Sequence, residues 1–314
     1  MPKKENMHGI LLVDKPEHMT SNDVVRLVKR LVKPDKVGHT GTLDPAATGL
    51  IVILIGSATR SLDYLDEAKK TYRLTVKLGE QTDTDDSEGV VIRTGDPSGI
   101  TRRHVEQVLG AYRGVIDQVP PHFSAIKRDG VPLYKLARRG VFPELEPRKV
   151  EIFSLEVTGW DPPYVDLEMI CSKGTYARSL ARDIGADLGV GGRLDRLRRL
   201  ASGTFLVDDA ITVEDISADG RDAIARNLIS VVNALSHIQD FQIPGPELRR
   251  ILRGASVSLP KSVLHRFGEA AARQSQLFKI VSERGKLVIL VRCEPRGADV
   301  LVQPVRVFNT LGNG

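Results

Sequence analysis

The stretch Val37-Gly38-His39-Thr40-Gly41-Thr42-Leu43-Asp44-Pro45-Ala46-Ala47-Thr48-Gly49 precedes the apolar run Leu50 to Ile55. Its glycines permit tight turns and the close approach of another backbone or a ligand. Because Pro45 restricts the residue before it to an extended backbone, we expect Asp44 to be held in place. A carboxylate and an imidazole on a folded loop that leads into a buried strand are typical of an active site. An ordinary Asx turn before a strand fits the same pattern.

The segments on both sides of this loop read as elements of one core. The apolar run Gly9 to Asp14 predicts a buried strand that places Lys15 at its end. After the loop, Lys69 to Gly79 alternates apolar and polar residues, which predicts a half-buried strand with Tyr72 on its apolar face. Tyr72 is either a tyrosine at the edge of the core or a flat ring that could stack on a base.

Composition and charge limit the classes of protein that this chain could be. Among 314 residues, 45 Lys and Arg against 40 Asp and Glu give a net charge of +5, which allows a polyanionic partner without requiring one. Cys171 and Cys293 lie far apart and form no metal-binding pattern, so we expect neither a disulfide framework nor a zinc site. With no apolar leader or membrane-length run, we expect a soluble, cytoplasmic protein without a membrane.

The middle of the chain combines basic and aromatic residues. Six basic residues lie between residues 123 and 148, interleaved with aromatic rings; they are Lys127, Arg128, Lys135, Arg138, Arg139 and Arg148. Such a mixture suits a surface that follows phosphates with stacking groups, and a plain basic surface is the alternative. The acidic segment from Gln81 to Glu88 lacks the glycine and terminal glutamate of a calcium loop, so it reads as a polar loop.

A second candidate group follows two predicted strands, at residues 149–159 and 165–172. The sequence Lys173-Gly174-Thr175-Tyr176-Ala177-Arg178 opens a helix and places Arg178 in its first turn. Because a cation gains nothing from the dipole there, Arg178 needs an anionic partner elsewhere, and Asp44 is the candidate. Further on, residues 193–200 alternate arginines with leucines, which predicts a surface element or one that contacts RNA.

The pattern of predicted secondary structure changes near residue 241. A short helix is followed by strand-like runs separated by turns, which predicts a small barrel-like β module. We therefore expect a large domain over residues 1–240, where the candidate site residues lie, and a second, small domain over residues 241–314.

Several blocks together resemble the bacterial TruB-type tRNA pseudouridine synthases. They occur in the order of that family and cover residues 9 to about 205; beside the loop 38–49 they are Gly9 to Pro16 with Thr20-Ser21, Lys70-Thr71-Tyr72, Gln81 to Asp85, Pro120-Pro121 with Ser124 to Lys127, Lys173 to Arg178, and Leu197-Arg198-Arg199. The resemblance implies an α+β fold with a mixed, mostly antiparallel sheet and flanking helices. It also implies a PUA-like RNA-binding domain at the C-terminus and an RNA-gripping insertion at about 121–148.

The resemblance implies isomerisation of a uridine, the position called 55, in the T-stem loop of tRNA, without metal or cofactor. Asp44 would be the nucleophile, attacking either the base or the ribose, with Arg178 as its ion-pair partner. Tyr72 would stack on the extruded base and is a candidate for the final proton transfer at C5. The remaining positions are substrate-binding, namely His39 in base flipping, Tyr176 and Leu197 in the uridine pocket, and Lys15 near the loop.

RNA-backbone contacts follow from the basic residues of these blocks. They are expected at Lys127, Arg128, Arg138, Arg198 and Arg199. We expect a monomer whose partner is tRNA. The alternatives are a guide-RNA-dependent pseudouridine synthase, which shares the aspartate loop, and a non-catalytic RNA-binding or RNA-folding protein.

Overall fold

A large mixed sheet runs through most of the chain, and a smaller sheet follows it. The computed structural model describes residues 7–33, 36–65, 69–240, 243, 245–261, 275–281 and 287–309.

The first half of the chain contains most of the short strands. Its elements in chain order are β1 (Gly9–Lys15), α1 (Ser21–Val32), β2 (Val37–His39), β3 (Thr48–Ile55), β4 (Lys69–Leu78), β5 (Glu80–Thr82), β6 (Val91–Thr94), α2 (Arg102–Leu109), β7 (Gly114–Gln118), β8 (Lys127–Arg128), β9 (Val131–Pro132) and α3 (Leu133–Ala137). Short 3₁₀ helices over Gly56–Tyr64 and Gly110–Tyr112 connect some of them.

The second half begins with two long strands. Its elements are β10 (Arg148–Asp161), β11 (Tyr164–Ser172), α4 (Ala177–Asp187), β12 (Gly192–Ser202), β13 (Phe205–Leu206), β14 (Ile211–Thr212), α5 (Val213–Asp219), α6 (Arg221–Arg226), α7 (Val231–Ala234), α8 (Gly245–Leu252), β15 (Val257–Pro260), β16 (Gln276–Val281), β17 (Leu287–Arg296) and β18 (Asp299–Asn309). A 3₁₀ turn over Val207–Asp209 leads into β14.

The main sheet has the order β14-β1-β3-β12-β4-β11-β10-β7, with β2 beside β3 and β13 beside β12. The pairs β1–β14 and β3–β12 are parallel, and the other pairs in this sheet are antiparallel. Helices α2 and α4 cover one part of it by packing on an apolar cluster that includes Val105, Leu167 and Leu180. The predicted α+β class with a mixed, mostly antiparallel sheet is confirmed.

The segment at residues 193–200 differs from its prediction. It forms the central strand β12 between β3 and β4, not a surface element. The alternation of arginine and leucine misled because an arginine in a strand can be buried when backbone carbonyls accept its hydrogens. Arg199 is 1% exposed.

The smaller sheet has the order β15-β18-β17-β16. One of its apolar clusters is its own and includes Phe278, Val291 and Val302. Other side chains of the same sheet, among them Leu290 and Phe308, belong to a cluster shared with strands β1 and β3 of the main sheet. The two sheets are therefore held together by a common core. None of the described helices has the length and apolar character needed to cross a membrane.

Phe308 tests this shared core because its side chain is fully buried in it. We expect Phe308→Ala to lower the free energy of unfolding by about 3–5 kcal/mol, since a large cavity is left behind. The half-exposed Leu206 is the control, and Leu206→Ala should cost less than about 1 kcal/mol. Denaturant unfolding followed by circular dichroism measures both. Early, separate melting of the smaller sheet alone would contradict a common core.

Candidate active site

The loop between β2 and β3 carries Asp44 and is fixed by hydrogen bonds from three directions. The Ser21 hydroxyl donates to the Leu43 carbonyl at 3.1 Å and accepts from the Leu43 N–H at 2.8 Å. Lys15 Nζ donates to the Pro45 carbonyl at 3.2 Å, and the His18 N–H donates to the same carbonyl at 2.9 Å. The neighbours of Asp44 on both sides are thus attached to α1 and β1.

Arg178 forms an ion pair with Asp44, as the sequence predicts. Its Nε lies 3.0 Å from Asp44 Oδ2, and its Nη2 donates to Oδ1 at 3.3 Å. Only 7% of the arginine side chain is exposed, against 39% of the aspartate side chain. The carboxylate is therefore reachable from solvent while its partner is enclosed.

The remaining hydrogens of Arg178 are directed to other parts of the site. Nη2 also donates to the Phe123 carbonyl at 2.9 Å, and Nη1 donates to the Thr84 carbonyl at 3.2 Å. Asp86 Oδ2 lies 3.6 Å from Nε, so a second carboxylate shares the same cation. One guanidinium thereby connects α4, the Asp44 loop, the acidic segment and the basic insertion.

A second ion pair lies one turn along α4. Arg182 Nη1 is 2.9 Å from Asp85 Oδ2, and Arg182 Nη2 donates to the Val119 carbonyl at 3.1 Å. Adjacent carboxylates of the acidic segment therefore have separate cations, Asp86 with Arg178 and Asp85 with Arg182. Residues 83–88 form the predicted polar loop, whereas Gln81 and Thr82 belong to β5. The sequence analysis did not predict these ion pairs, and the adjacent acids Asp85 and Asp86 are the signal that could have suggested partners for the arginines of α4.

Burial controls the ionisation of these acids. It raises the pKa of Asp44, while the charge and hydrogen bonds of Arg178 act in the opposite direction. Burial likewise raises the pKa of Asp85 to about 6, with Arg182 opposing it. Arg178 is thus the group that most favours the ionised form of Asp44.

Lys15 is fully buried at the end of β1. Its ammonium group donates to the carbonyls of Pro16, Met19 and Pro45 at 2.8, 2.7 and 3.2 Å. Burial lowers its pKa to about 8, and the charge of Asp44 opposes this shift. These contacts make Lys15 a support of the loop.

Tyr72 and Leu197 lie on the neighbouring strands β4 and β12. Tyr72 is half-buried, and burial is the main reason that its pKa is raised; the charge of Asp44 acts in the same direction. Leu197 is half-buried and packs against the cluster that Tyr72 also contacts. The Leu197 carbonyl accepts a bond from the Thr48 hydroxyl at 3.5 Å, which ties it to the end of the Asp44 loop.

His39 ends β2 at the start of the loop. Burial, Arg199 and Lys70 all lower the pKa of its imidazole, which favours a neutral ring at pH 7. Its Nδ1 is buried and has no hydrogen-bond partner among the residues that the structure describes. A neutral flat ring of this kind is suited to stacking.

Tyr176 is the N-cap residue of α4, two positions before Arg178. Its backbone N–H donates to Gln118 Oε1 at 2.8 Å, and its carbonyl accepts from Gln118 Nε2 at 3.1 Å. Burial raises the pKa of its hydroxyl, which Ser124, Arg148 and Arg178 lower and Asp44 raises. Tyr176 therefore lies between the Asp44 loop and the basic insertion.

The insertion presents basic groups to solvent. Lys127, Arg128 and Arg138 are exposed. Arg128 Nη1 donates to the Glu144 carbonyl at 2.7 Å, and the Arg138 guanidinium lies 5.7 Å from the centre of the Tyr134 ring. Asp129-Gly130 forms the turn of the hairpin β8–β9, as predicted.

Of the two adjacent arginines predicted to contact the RNA backbone, Arg199 is enclosed and Arg198 is partly exposed. The buried guanidinium of Arg199 donates to the carbonyls of Leu50 and Gly41, so it cannot reach a phosphate on the surface. Arg198 forms two bonds with Asp14, at 2.6 and 3.0 Å, which neutralise its charge. Because 38% of the Arg198 side chain is exposed, its contact with the RNA backbone stays a prediction. Within the described ranges, no group of three His, Cys, Asp or Glu could hold a metal ion.

Two family models match adjoining parts of the chain. Residues 29–177 match the N-terminal domain of the TruB family pseudouridylate synthases, and residues 178–236 match a tRNA pseudouridylate synthase B C-terminal domain. The boundary between them falls next to Arg178, so the ion pair with Asp44 joins the two matched regions.

Curated relatives carry the name tRNA pseudouridine synthase B. That of Syntrophotalea carbinolica is 44% identical over 245 residues, which are 78% of this chain and 80% of the relative. That of Chromohalobacter salexigens is 39% identical over 305 residues, which are 96% and 94%. Among solved structures, a Cbf5-Nop10-Gar1 complex contains a chain with a TM-score of 0.70 and 25% identity, covering 96% of this chain and 85% of that one.

Arg178 and Arg182 of α4 allow a matched pair of titration experiments on their partners Asp44 and Asp85. Removing the Arg178 cation by Arg178→Gln should raise the pKa of Asp44 further, because the ionised carboxylate loses its nearest positive charge. Arg182→Gln should instead raise the pKa of Asp85 above about 6 and leave Asp44 unchanged. Carboxyl carbon NMR of ¹³C-aspartate-labelled protein across pH measures both. An unchanged or lower pKa of Asp44 in Arg178→Gln would contradict the assigned pairing.

Proposed function

The chain belongs to the TruB family of pseudouridylate synthases, and we propose that it isomerises the uridine at position 55 in the T-stem loop of tRNA to pseudouridine. It is an isomerase. The observation that carries the proposal is the ion pair of Asp44 with Arg178 at 3.0 Å, on a loop held at both sides of the aspartate.

Asp44 is the nucleophile in this proposal. Its carboxylate attacks either the base or the ribose carbon, and the N1–C1′ bond breaks. The base then rotates and a C5–C1′ bond forms, after which the proton on C5 leaves and N1 takes up a proton. The carboxylate is released unchanged, so the product is an isomer of the substrate. An attacking carboxylate must be ionised, which is what Arg178 favours.

Extrusion of the base from the RNA gives the side chains around Asp44 their proposed roles. A base stacked in a folded loop is inaccessible, and its removal costs a few kcal/mol that contacts in the enzyme offset. His39 fills the vacated position in the RNA stack, in keeping with its lowered pKa and its buried Nδ1 without a described partner. Tyr72, Tyr176 and Leu197 line the uridine pocket, and Tyr72 accepts the proton from C5.

The basic insertion grips the RNA. Lys127, Arg128 and Arg138 contact phosphates, with Tyr134 beside Arg138. The Phe123 carbonyl on Arg178 connects this insertion to the active site. In the same proposal, residues 1–240 form the catalytic domain, residues 241–314 form a PUA-like RNA-binding domain, and the protein acts as a monomer.

Asp44→Asn tests the proposed nucleophile. We expect pseudouridine formation to fall by at least about 10³-fold while tRNA affinity stays within about 10-fold, because the amide keeps the shape but cannot attack. Asp117, an exposed carboxylate on β7, is the control, and Asp117→Asn should retain the activity. Tritium release from labelled uridine and filter binding measure rate and affinity. Equal product from both variants would reject Asp44 as the nucleophile, and bound tRNA without any product from the wild-type protein would favour a pure RNA-binding protein.

The target uridine is identified on an unmodified tRNA transcript. The transcript is treated with the purified protein alone and then with carbodiimide. Primer extension on this transcript should stop at position 55. A requirement for an added guide RNA would favour the guide-dependent alternative.

Salt dependence tests the phosphate contacts. Lys127→Gln and Arg138→Gln should each weaken tRNA binding and reduce the slope of log affinity against log salt concentration by about 0.7–0.9, because one fewer phosphate is neutralised. Arg102, exposed on α2 and paired with Glu106, is the control. A slope unchanged from the wild-type value would remove the mutated residue from the interface.

A further inference from the structure

Arg199 is a buried cation that the proposed chemistry does not use. It is 1% exposed and lies on β12, where it is directly opposite Tyr72 of the antiparallel neighbour β4. Directly opposite residues in an antiparallel pair project to the same face of the sheet, so the two side chains are adjacent. On its other side, Arg199 pairs with Gly49 of β3.

The contacts of Arg199 join three parts of the site. Its Nε donates to the Leu50 carbonyl at 2.6 Å, and its Nη2 donates to the Gly41 carbonyl at 3.1 Å. Its third neighbour is Tyr72, which is directly opposite Arg199 across the β12–β4 pair. The fit is tight, because a Cβ at Gly49, whose φ is +99°, would lie 2.3 Å from the Arg199 carbonyl oxygen.

Burying such a cation is costly unless hydrogen bonds and nearby partners offset the loss of water. No carboxylate within ion-pair distance of Arg199 occurs among the described residues, and the carbonyls of Leu50 and Gly41 are its acceptors. An apolar side chain of similar volume at this position would often be as stable. The retention of a charge here therefore points to a role in the site rather than in packing.

We propose that Arg199 is a positioning residue, which holds the Tyr72 hydroxyl and the Gly41 side of the Asp44 loop in one fixed arrangement for the proton transfer at C5. This inference rests on the proposed role of Tyr72. Arg199 makes no contact with the substrate and acts through Tyr72 and the loop.

The electrostatics of Tyr72 agree with this arrangement. Burial raises the pKa of its hydroxyl, Asp44 from the loop and Cys171 from β11 raise it further, and Arg199 from β12 lowers it. Lys70, on the same strand as Tyr72, is also buried beside the loop, since a Cβ at Gly41 would lie 2.6 Å from its Nζ. Removing the Arg199 cation raises the pKa of Tyr72, so a proton acceptor at this position becomes ionised only at higher pH.

The experiment is a double-mutant cycle of Arg199→Met and Tyr72→Phe in the full chain. Single-turnover pseudouridine formation on a tRNA transcript is measured across pH, together with tRNA affinity and thermal unfolding. Arg113 supplies the structural control: its guanidinium donates to the Leu155 carbonyl at 3.1 and 2.7 Å, and Arg113→Met removes an arginine bonded to backbone elsewhere in the sheet. Arg199→Lys keeps the charge but cannot reproduce the forked contacts.

We expect Arg199→Met to slow the reaction by about 100-fold with tRNA affinity within about threefold, and to move the rise of rate with pH to higher pH. The double variant should be no slower than Tyr72→Phe by more than about threefold, because both changes remove the same function. Arg199→Lys should be intermediate, and Arg113→Met should lower the unfolding temperature alone. If Arg199→Met does not fold, Arg199→Lys combined with Tyr72→Phe provides the same cycle.

Two results would overturn the inference in distinguishable ways. In the first result, the rate losses of Arg199→Met and Tyr72→Phe multiply in the double variant, or the rate loss of Arg199→Met follows its loss of stability as in Arg113→Met. Either outcome would reject Arg199 as a positioning residue and leave the proposed function intact. An unchanged rate in Tyr72→Phe would reject the proposed role of Tyr72 itself, and the inference with it.

Discussion

The guanidinium of Arg178 is the interaction on which the rest of the site depends. Its hydrogens reach Asp44 and the carbonyls of Thr84 and Phe123, while Asp86 lies beside it. A planar, permanently charged group with several donors can satisfy such a set, which a lysine could not. Because the group is enclosed, removal of either carboxylate would leave a buried charge incompletely compensated. The structure thus links the chemistry of one aspartate to an acidic segment and to an insertion that are distant in sequence.

The main sheet explains how these segments meet. The Asp44 loop leads into β3, which lies beside β12, and β12 lies beside the strand that carries Tyr72. Helix α4, which carries Arg178, packs on the same sheet. Lys15 and Ser21 then fix the loop through backbone atoms on both sides of Asp44, at Pro45 and Leu43. The candidate site residues Asp44, Tyr72 and Arg178 are therefore positioned by strand order and a few buried polar side chains.

Much of this arrangement could be predicted from the sequence. Periodicity identified β1, α1, β4 and α4, and the dipole argument for Arg178 selected Asp44 as its partner. The sequence misled where burial reverses the usual preference of a residue. Arg199 reads as a surface cation, and its burial depends on carbonyls of β3 and the loop that no local pattern reveals. Asp86 was missed for a similar reason, since a polar loop becomes part of a site only when the fold brings a cation to it.

The apolar cluster shared by the two sheets limits how the C-terminal module could be exchanged during evolution. A module linked only by a flexible connection can be gained, lost or exchanged by recombination with little effect on its neighbour. Here Leu290 and Phe308 cover side chains of β1 and β3, the strands that support the Asp44 loop. A different C-terminal module would have to offer a matching apolar surface. Any replacement must therefore evolve together with the strands beneath it.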